Sequence, residues 1–238
     1  MAFVFSDHAS ERRVEMHVPD GFVSGGVNTI TYIISGGVSV FAVREANKKL
    51  GDKQVPLLGV VAAFIFAAQM LNFPVAGGTS GHFLGALLAA SLLGPWISCL
   101  IMTVVLTIQC LLFADGGLTA LGTNIFNMGI IGGVLCYYLL VALKSILPKN
   151  KGGYLVSVAI SSWMSVVLGA SACAVELAIS GTSPLSIVLP TMASVHVLIG
   201  IGEATITTAV VGLVLNTRPD LVGTYSYQDA RTFNTMGA

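Results

Sequence analysis

The sequence predicts an all-α membrane protein: a polytopic bundle of about seven transmembrane helices, with its N-terminus outside and its C-terminus in the cytoplasm. Of the 238 residues, 55% are hydrophobic and 9% are charged, whereas soluble globular proteins carry about 25% charged residues. So small a charged fraction cannot cover a water-facing surface. The net charge is zero, which gives no electrostatic basis for binding nucleic acid. Segment lengths and the placement of basic residues support the same class.

The apolar segments are judged against the ~20 residues that a spanning helix needs. They cover about residues 27–43, 55–73, 82–93, 96–113, 118–147, 154–179 and 187–215. The third segment is short and is stopped by Gly94-Pro95. We therefore expect it to be a tilted or partly re-entrant helix packed inside the bundle.

Basic residues predict the orientation, because cytoplasmic loops carry an excess of Lys and Arg. With seven spans and an outer N-terminus, all 11 basic residues except Arg12 and Arg13 fall on the cytoplasmic side. The cytoplasmic set is Arg44, Lys48, Lys49, Lys53, Lys144, Lys149, Lys151, Arg218 and Arg231. Six spans would break this distribution, so the short third segment is counted as a crossing.

Four polar breaks then fall on the outer side. They are Met16-His17 before a Pro-Asp-Gly turn, the glycine-rich stretch from Asn72 to His82, the Asp115-Gly-Gly turn, and 180–184. Non-helical backbone at a membrane is tolerated where it is buried in protein or lines a cavity. An ionisable residue held there predicts a functional site.

His17, His82 and His196 are the candidate ligands, because imidazole is the commonest transition-metal ligand and nitrogen-rich sites suit Ni(II), Cu(II) and sometimes Co(II). His82 could instead make a hydrogen bond at a helix start, and His196 could donate to a backbone carbonyl. Glu203 follows His196 on nearly the same helix face. It could bond to His196, to a loop amide or to a metal. Glu176 is expected to be a solvated helix end.

The other polar residues have simpler expected roles. Asp115, Asn124 and Asn127 are expected to form a structural network that holds the outer loops, because an intramembrane Asn needs partners. Ser80 is expected to be the N-cap of a helix starting near His82. The four cysteines fall singly in apolar segments and are expected to be buried small hydrophobes.

Four motifs, taken together, resemble the substrate-capture membrane subunit of cobalt/nickel energy-coupling-factor (ECF) ABC transporters. The resemblance covers essentially all of residues 16–238, and the motifs occur in the same order. They are Met16-His-Val-Pro-Asp-Gly-Phe, Phe-Pro-Val-Ala-Gly-Gly-Thr-Ser-Gly-His82, Asp115-Gly-Gly followed by Asn124-Ile-Phe-Asn127-Met-Gly, and His196-Val-Leu-Ile-Gly-Ile-Gly-Glu203.

The resemblance implies a substrate ion, Ni2+ or Co2+, held in a near-square plane on the outer side, with no catalytic cofactor and no enzymatic activity. Its implied ligands are the amine of Met16, the amide nitrogen and side chain of His17, and the side chain of His82. Supporting residues are expected around them: Asn72, Ser80, Asp115, Asn124, Asn127, His196 and Glu203. Four in-plane nitrogens favour such an ion over Zn2+ or Mg2+.

The resemblance also implies location and partners. The chain would lie in the bacterial or archaeal plasma (inner) membrane. The resemblance implies a transmembrane coupling subunit, cytoplasmic ATPase subunits and a small accessory membrane subunit. Separate ATPase subunits are expected because nothing in the sequence resembles the phosphate-binding G-x-x-x-x-G-K-[ST] loop.

One departure from the family pattern touches the site. Residues 1–15 precede Met16, so Met16 as written has no free amine. They lack the apolar run of a signal peptide. We expect residues 1–15 to be an over-long start or a dispensable tail, and residues 16–238 to form a single metal-capture domain.

The sequence also leaves other functions open. Gly78-Thr79-Ser80-Gly81 matches the G-x-S-G of rhomboid-like intramembrane serine proteases, with His196 as a base in a later span. So short a motif matches often by chance in a glycine-rich loop. A passive pore, or a capture subunit for an organic vitamin, would predict stacking aromatics in the outer pocket, for which Phe73, Phe83 and Phe126 are thin support.

Overall fold

The structure is a computed structural model that describes residues 17–49, 51, 55–71, 73–74 and 80–225, with backbone alone at 49, 73–74 and 80–81. Within these residues the fold is helical, as predicted. The helices are α1 (Gly25–Lys49), α2 (Val55–Gln69), α3 (Ala86–Leu93), α4 (Pro95–Phe113), α5 (Leu121–Ile146), α6 (Lys151–Ile179) and α7 (Leu185–Thr217). A two-residue antiparallel pair, β1 (Phe73–Pro74) with β2 (Ser80–Gly81), and a 3₁₀ turn (Pro219–Leu221) complete it.

Five helices (α1, α4, α5, α6 and α7) are long and apolar enough to cross a membrane, while α2 is a shorter apolar helix. Large apolar side chains on the outside of the bundle remain exposed, for example Ile33 on α1 and Leu213 on α7. An exposed apolar surface of this kind is suited to lipid rather than to water. The chain is therefore an integral membrane protein.

Contacts between distant segments define two ends of the bundle. At one end, which we call the His17 end, the His17 ring lies 2.8 Å from Asp115. At the other, the Thr224 end, the backbone N–H groups of Gly223 and Thr224 donate to the carbonyls of Leu92 and Ser91 at 3.0 and 3.2 Å. His82 lies beside His17, and Leu92 contacts Gly223. The segment that starts at His82 and ends after Leu92 therefore runs from one end of the bundle to the other.

This third segment differs from its prediction. Its helix begins at Ala86, not near His82, and Gly85, not Ser80, occupies the N-cap position. Eight helical residues rise about 12 Å, and the four non-helical residues before them can add at most about 13 Å. This segment therefore has a non-helical first part and a helical second part. Residues 83–92 are buried throughout, which satisfies the rule that irregular backbone at membrane depth must be enclosed by protein.

Helix α5 contains a π-helical stretch from Ile125 to Leu135. Such geometry is rare and is frequently found at functional sites. The stretch starts directly after Asn124 and carries Asn127, and both asparagines are buried. Their side chains nevertheless bind different partners.

Candidate functional site

Two histidines that are far apart in the sequence meet at the His17 end. The ring centroids of His17 and His82 lie 4.8 Å apart, with the ring planes inclined at 53°. His17 comes from the segment before α1, and His82 from the non-helical segment before α3. The tertiary fold therefore brings together the two imidazoles that the sequence singled out.

Each ring is anchored through its Nδ1 atom. His17 Nδ1 lies 2.8 Å from a carboxylate oxygen of Asp115, and His82 Nδ1 lies 3.0 Å from the carbonyl oxygen of Phe83. Both partners accept hydrogen bonds, so a neutral ring carries its proton on Nδ1 and a lone pair on Nε2. The Nε2 atoms of both histidines are buried, and among the residues that the structure describes neither has a hydrogen-bond partner. Metal-binding histidines characteristically show this arrangement, with one nitrogen oriented by a carboxylate or carbonyl and the other on the metal.

The charge of Asp115 suits the same role. Partial burial alone would raise the pKa of Asp115. The hydrogen bond and charge of His17 outweigh that effect and lower it. A neutral imidazole and an ionised carboxylate are the forms that attract and bind a cation.

Asn124 fixes the segment that carries His17. Its Oδ1 accepts the backbone N–H of Val18 at 2.8 Å, and its Nδ2 donates to the Val18 carbonyl at 3.2 Å. The N–H of Gly117 donates to the same carbonyl at 2.9 Å. A Cβ on Gly117 would lie 2.3 Å from the nitrogen of Asp20, so only glycine permits this approach.

Asp20 adds a second attachment to the loop before α5. Its Oδ1 accepts hydrogen bonds from the N–H and the hydroxyl of Thr119 at 2.7 and 2.6 Å. These bonds, the side-chain one first, lower the pKa of Asp20. The Asp115-Gly-Gly loop and Asn124 therefore hold the segment that carries His17.

An open cavity of about 440 Å³ leads to His17. It is lined by Asp20, Asp115 and Cys110 together with loop residues 114–118. Two carboxylates at its wall give the cavity a negative potential that attracts cations. Of the four cysteines only Cys110 is not buried, so the expectation of burial holds for Cys99, Cys136 and Cys173.

Asn127 and Glu176 depart from their expected roles. Asn127 does not reach the outer loops; its Nδ2 donates to Glu176 Oε2 at 2.6 Å. Glu176 is buried, with 7% exposure, so the prediction of a solvated helix end is wrong. The reason is the packing of α6 against the π-helical stretch, which places both side chains between helices.

His196 and Glu203 find separate backbone partners. His196 Nδ1 lies 2.7 Å from the Met192 carbonyl in its own helix, as one alternative expected. Glu203 accepts the N–H groups of Leu84 and Gly85 at 2.7 and 3.0 Å, so the loop-amide alternative is the correct one.

Three predicted site residues have no described side chain. Met16 and Asn72 lie outside the described residues, and Ser80 is described in its backbone alone. Conversely, sequence reasoning missed Gln69 and Gln109, two buried glutamines linked at 2.9 Å. A polar residue inside an apolar span was the signal that could have found them.

Residues 17–221 match the family described as the cobalt uptake substrate-specific transmembrane region, CbiM. The chain belongs to this family. The solved structure of a truncated transition metal transporter is similar to it, with a TM-score of 0.77 and 33% identity over 84% of this chain and 98% of that one. The chain thus matches the CbiM family in sequence and resembles a solved transition metal transporter in fold.

Relatives of this CbiM-family chain are named as transport proteins. A candidate fused nickel transport protein, NikMN, of Archaeoglobus fulgidus is 42% identical over 87% of this chain and 68% of its own length. A candidate metal transport protein of Haloquadratum walsbyi is 41% identical over 88% of this chain and 94% of its own. The fused nickel transport protein NikMN of Rhodobacter capsulatus is 30% identical over 87% of this chain and 64% of its own.

Proposed function

We propose that this chain captures a single Ni2+ or Co2+ ion at its His17 end, as the substrate-binding membrane subunit of an ECF uptake transporter. The observation that carries the proposal is the pair of buried Nε2 atoms on His17 and His82, which have no hydrogen-bond partner within the described part of the chain. A buried acceptor without a partner is costly. A metal ion bound by both lone pairs would remove that cost.

Two ligand sets are possible, and they differ in which ring nitrogen of His17 binds the ion. In the form that the structure favours, both rings bind the ion through Nε2, while Asp115 and the Phe83 carbonyl hold the Nδ1 atoms. The family resemblance adds the Met16 amine and the His17 amide. That larger set would use His17 Nδ1, because only Nδ1 is close enough to its own amide to close a chelate ring. Asp115 would then have to leave this nitrogen.

The amine of Met16 is part of the larger set only if it is free. Intact-mass measurement on protein expressed from its natural gene decides this. A mass that begins at Met16 supports the amine ligand, and a retained Ala2 excludes it.

The orientation in the membrane follows from the two ends of the bundle. We propose seven crossings, with the His17 end outside and the Thr224 end in the cytoplasm of a bacterial or archaeal cell. Basic side chains support this: Lys144, Lys151 and Arg218 lie in the last turn of α5, the first turn of α6 and the residue after α7, which meet at the Thr224 end. Cytoplasmic segments are the ones enriched in Lys and Arg.

Capture alone does not move the ion across the membrane. We propose that a transmembrane coupling subunit and ATPase subunits on the cytoplasmic side drive release, with a small accessory membrane subunit. The absence of a phosphate-binding loop motif from the sequence supports a separate ATPase. No observation favours the serine-protease alternative, since the His196 ring is bonded within its own helix and the relatives are named as transport proteins.

Calorimetric titration of the purified protein with Ni2+ and Co2+ in competition tests the proposal. We expect binding of one ion per chain, and loss of nearly all binding in His82→Ala. His8→Ala is the matched control, because His8 lies in the polar stretch before the motifs, and it should bind normally. No binding by the wild-type protein, or equal loss in both variants, would contradict the proposal.

A further inference from the structure

A carboxylate on the last helix holds the backbone next to His82. Glu203 lies on α7 and has 1% exposure. Its Oε2 accepts the Leu84 N–H at 2.7 Å, and its Oε1 accepts the Gly85 N–H at 3.0 Å. The Thr207 hydroxyl, one turn along α7, lies 3.3 Å from the same Oε1. Both carboxylate oxygens are therefore engaged by hydrogen bonds from the protein.

The other backbone group of Leu84 is held from the opposite side. Its carbonyl accepts a hydrogen bond from Gln69 Nε2 on α2 at 2.7 Å. Gln69 is itself held by Gln109 Nε2 on α4 at 2.9 Å. Helices α7 and α2 thus fix both polar groups of a residue that lies only two positions after His82.

The backbone conformation and close packing of Gly85 restrict the conformations that this segment can adopt. Gly85 has a φ of +76°, and a Cβ there would lie 2.8 Å from Ile65. The segment is not helical, so the N–H groups of Leu84 and Gly85 have no partner in a helix, and both residues are buried. Charge-assisted bonds to a carboxylate are the strongest partners available to such groups.

We infer that Glu203 is the positioning residue that holds His82 at the metal site. This inference rests on the proposed function and deepens it, because it assigns the orientation of one ligand to a residue of α7. A displacement of α7 relative to α3 would pull on the two amides that follow His82. Loosening of the metal pocket would then begin at Glu203.

Two variants of Glu203 test the inference in the full-length purified protein with Ni2+ as the probe. Glu203→Gln keeps the shape but turns an amide N–H₂ toward a backbone N–H. Glu203→Asp keeps the charge but shortens the reach, and it carries the test if the Gln variant does not fold. Glu176→Gln is the matched control, since Glu176 is a second buried carboxylate that binds Asn127 and not the His82 segment.

Two measurements are needed: the Ni2+ dissociation rate, and the number of imidazole ligands from X-ray absorption at the nickel edge. We expect Glu203→Gln and Glu203→Asp to weaken binding about 10–100-fold, the usual range for a residue that orients a metal ligand. We expect the imidazole number to fall from two to one, a change that general loosening of the fold would not produce. The control should keep two imidazoles and the wild-type rate.

Three results would overturn the inference. The Glu203 variants could retain two imidazoles and the wild-type dissociation rate, or Glu176→Gln could show the same losses as the Glu203 variants. In either case the proposed function would stand and this inference would fail. A wild-type protein that binds no Ni2+ would overturn both, so the two failures are distinguishable.

Discussion

Asn124 binds both backbone groups of Val18, accepting its N–H at 2.8 Å and donating to its carbonyl at 3.2 Å. This pair of bonds ties the His17 segment to the start of α5. A side-chain amide can pair with a peptide unit in this way because it carries both a donor and an acceptor.

Removal of this amide should release the His17 segment. We expect Asn124→Ala to weaken Ni2+ binding by at least about tenfold, in the range seen when residues behind a ligand are changed. Titration of the purified variant checks this. Asn216→Ala is the control, because Asn216 binds Lys151 at the Thr224 end and should not affect the site. Wild-type affinity in Asn124→Ala would contradict the assignment.

Asp115 distinguishes the two forms of the ligand set. If His17 binds the ion through Nε2, Asp115→Asn weakens the hold on Nδ1 and lowers Ni2+ affinity by about 10–100-fold. We expect this result, because the structure places Asp115 2.8 Å from Nδ1 and leaves Nε2 free. Unchanged or raised affinity would show instead that the ion takes Nδ1 in place of Asp115. Titration at constant pH measures the difference.

Metal binding should protect Cys110 from modification. Cys110 lines the cavity that leads to His17, and the other three cysteines are buried. A membrane-impermeant thiol reagent should therefore add once per chain. Saturating Ni2+ should slow this reaction in the wild-type protein and not in His82→Ala. Protection that persists in His82→Ala would mean that the ion binds the thiol itself.

The sequence was sufficient to predict the helical class and the meeting of His17 with His82. Apolar length indicates a helix regardless of its neighbours, since each backbone group bonds within the segment. Polar breaks that lie at span ends on the same side of the membrane then bring their residues to one end of the bundle. The prediction depended on counting the short segment before Gly94 as a crossing, and its contacts at both ends of the bundle support that count.

The sequence was insufficient where backbone groups bind side chains of other helices in place of partners in a helix of their own. The helix after His82 was predicted to begin there, but it begins at Ala86 because Glu203 and Gln69 satisfy the non-helical backbone of Leu84. Nothing local to Leu84 signals partners that lie over a hundred residues away on α7. Likewise, the burial of Glu176 depends on Asn127 in the neighbouring helix.

The most direct test of metal capture is a crystal structure of the Ni2+-loaded protein with data collected at the nickel absorption edge. We expect a single anomalous peak at about 2 Å from a ring nitrogen of both His17 and His82, the usual range for a metal–imidazole bond. A peak that contacts only one of these rings, or one that lies elsewhere in the bundle, would contradict metal capture by this pair.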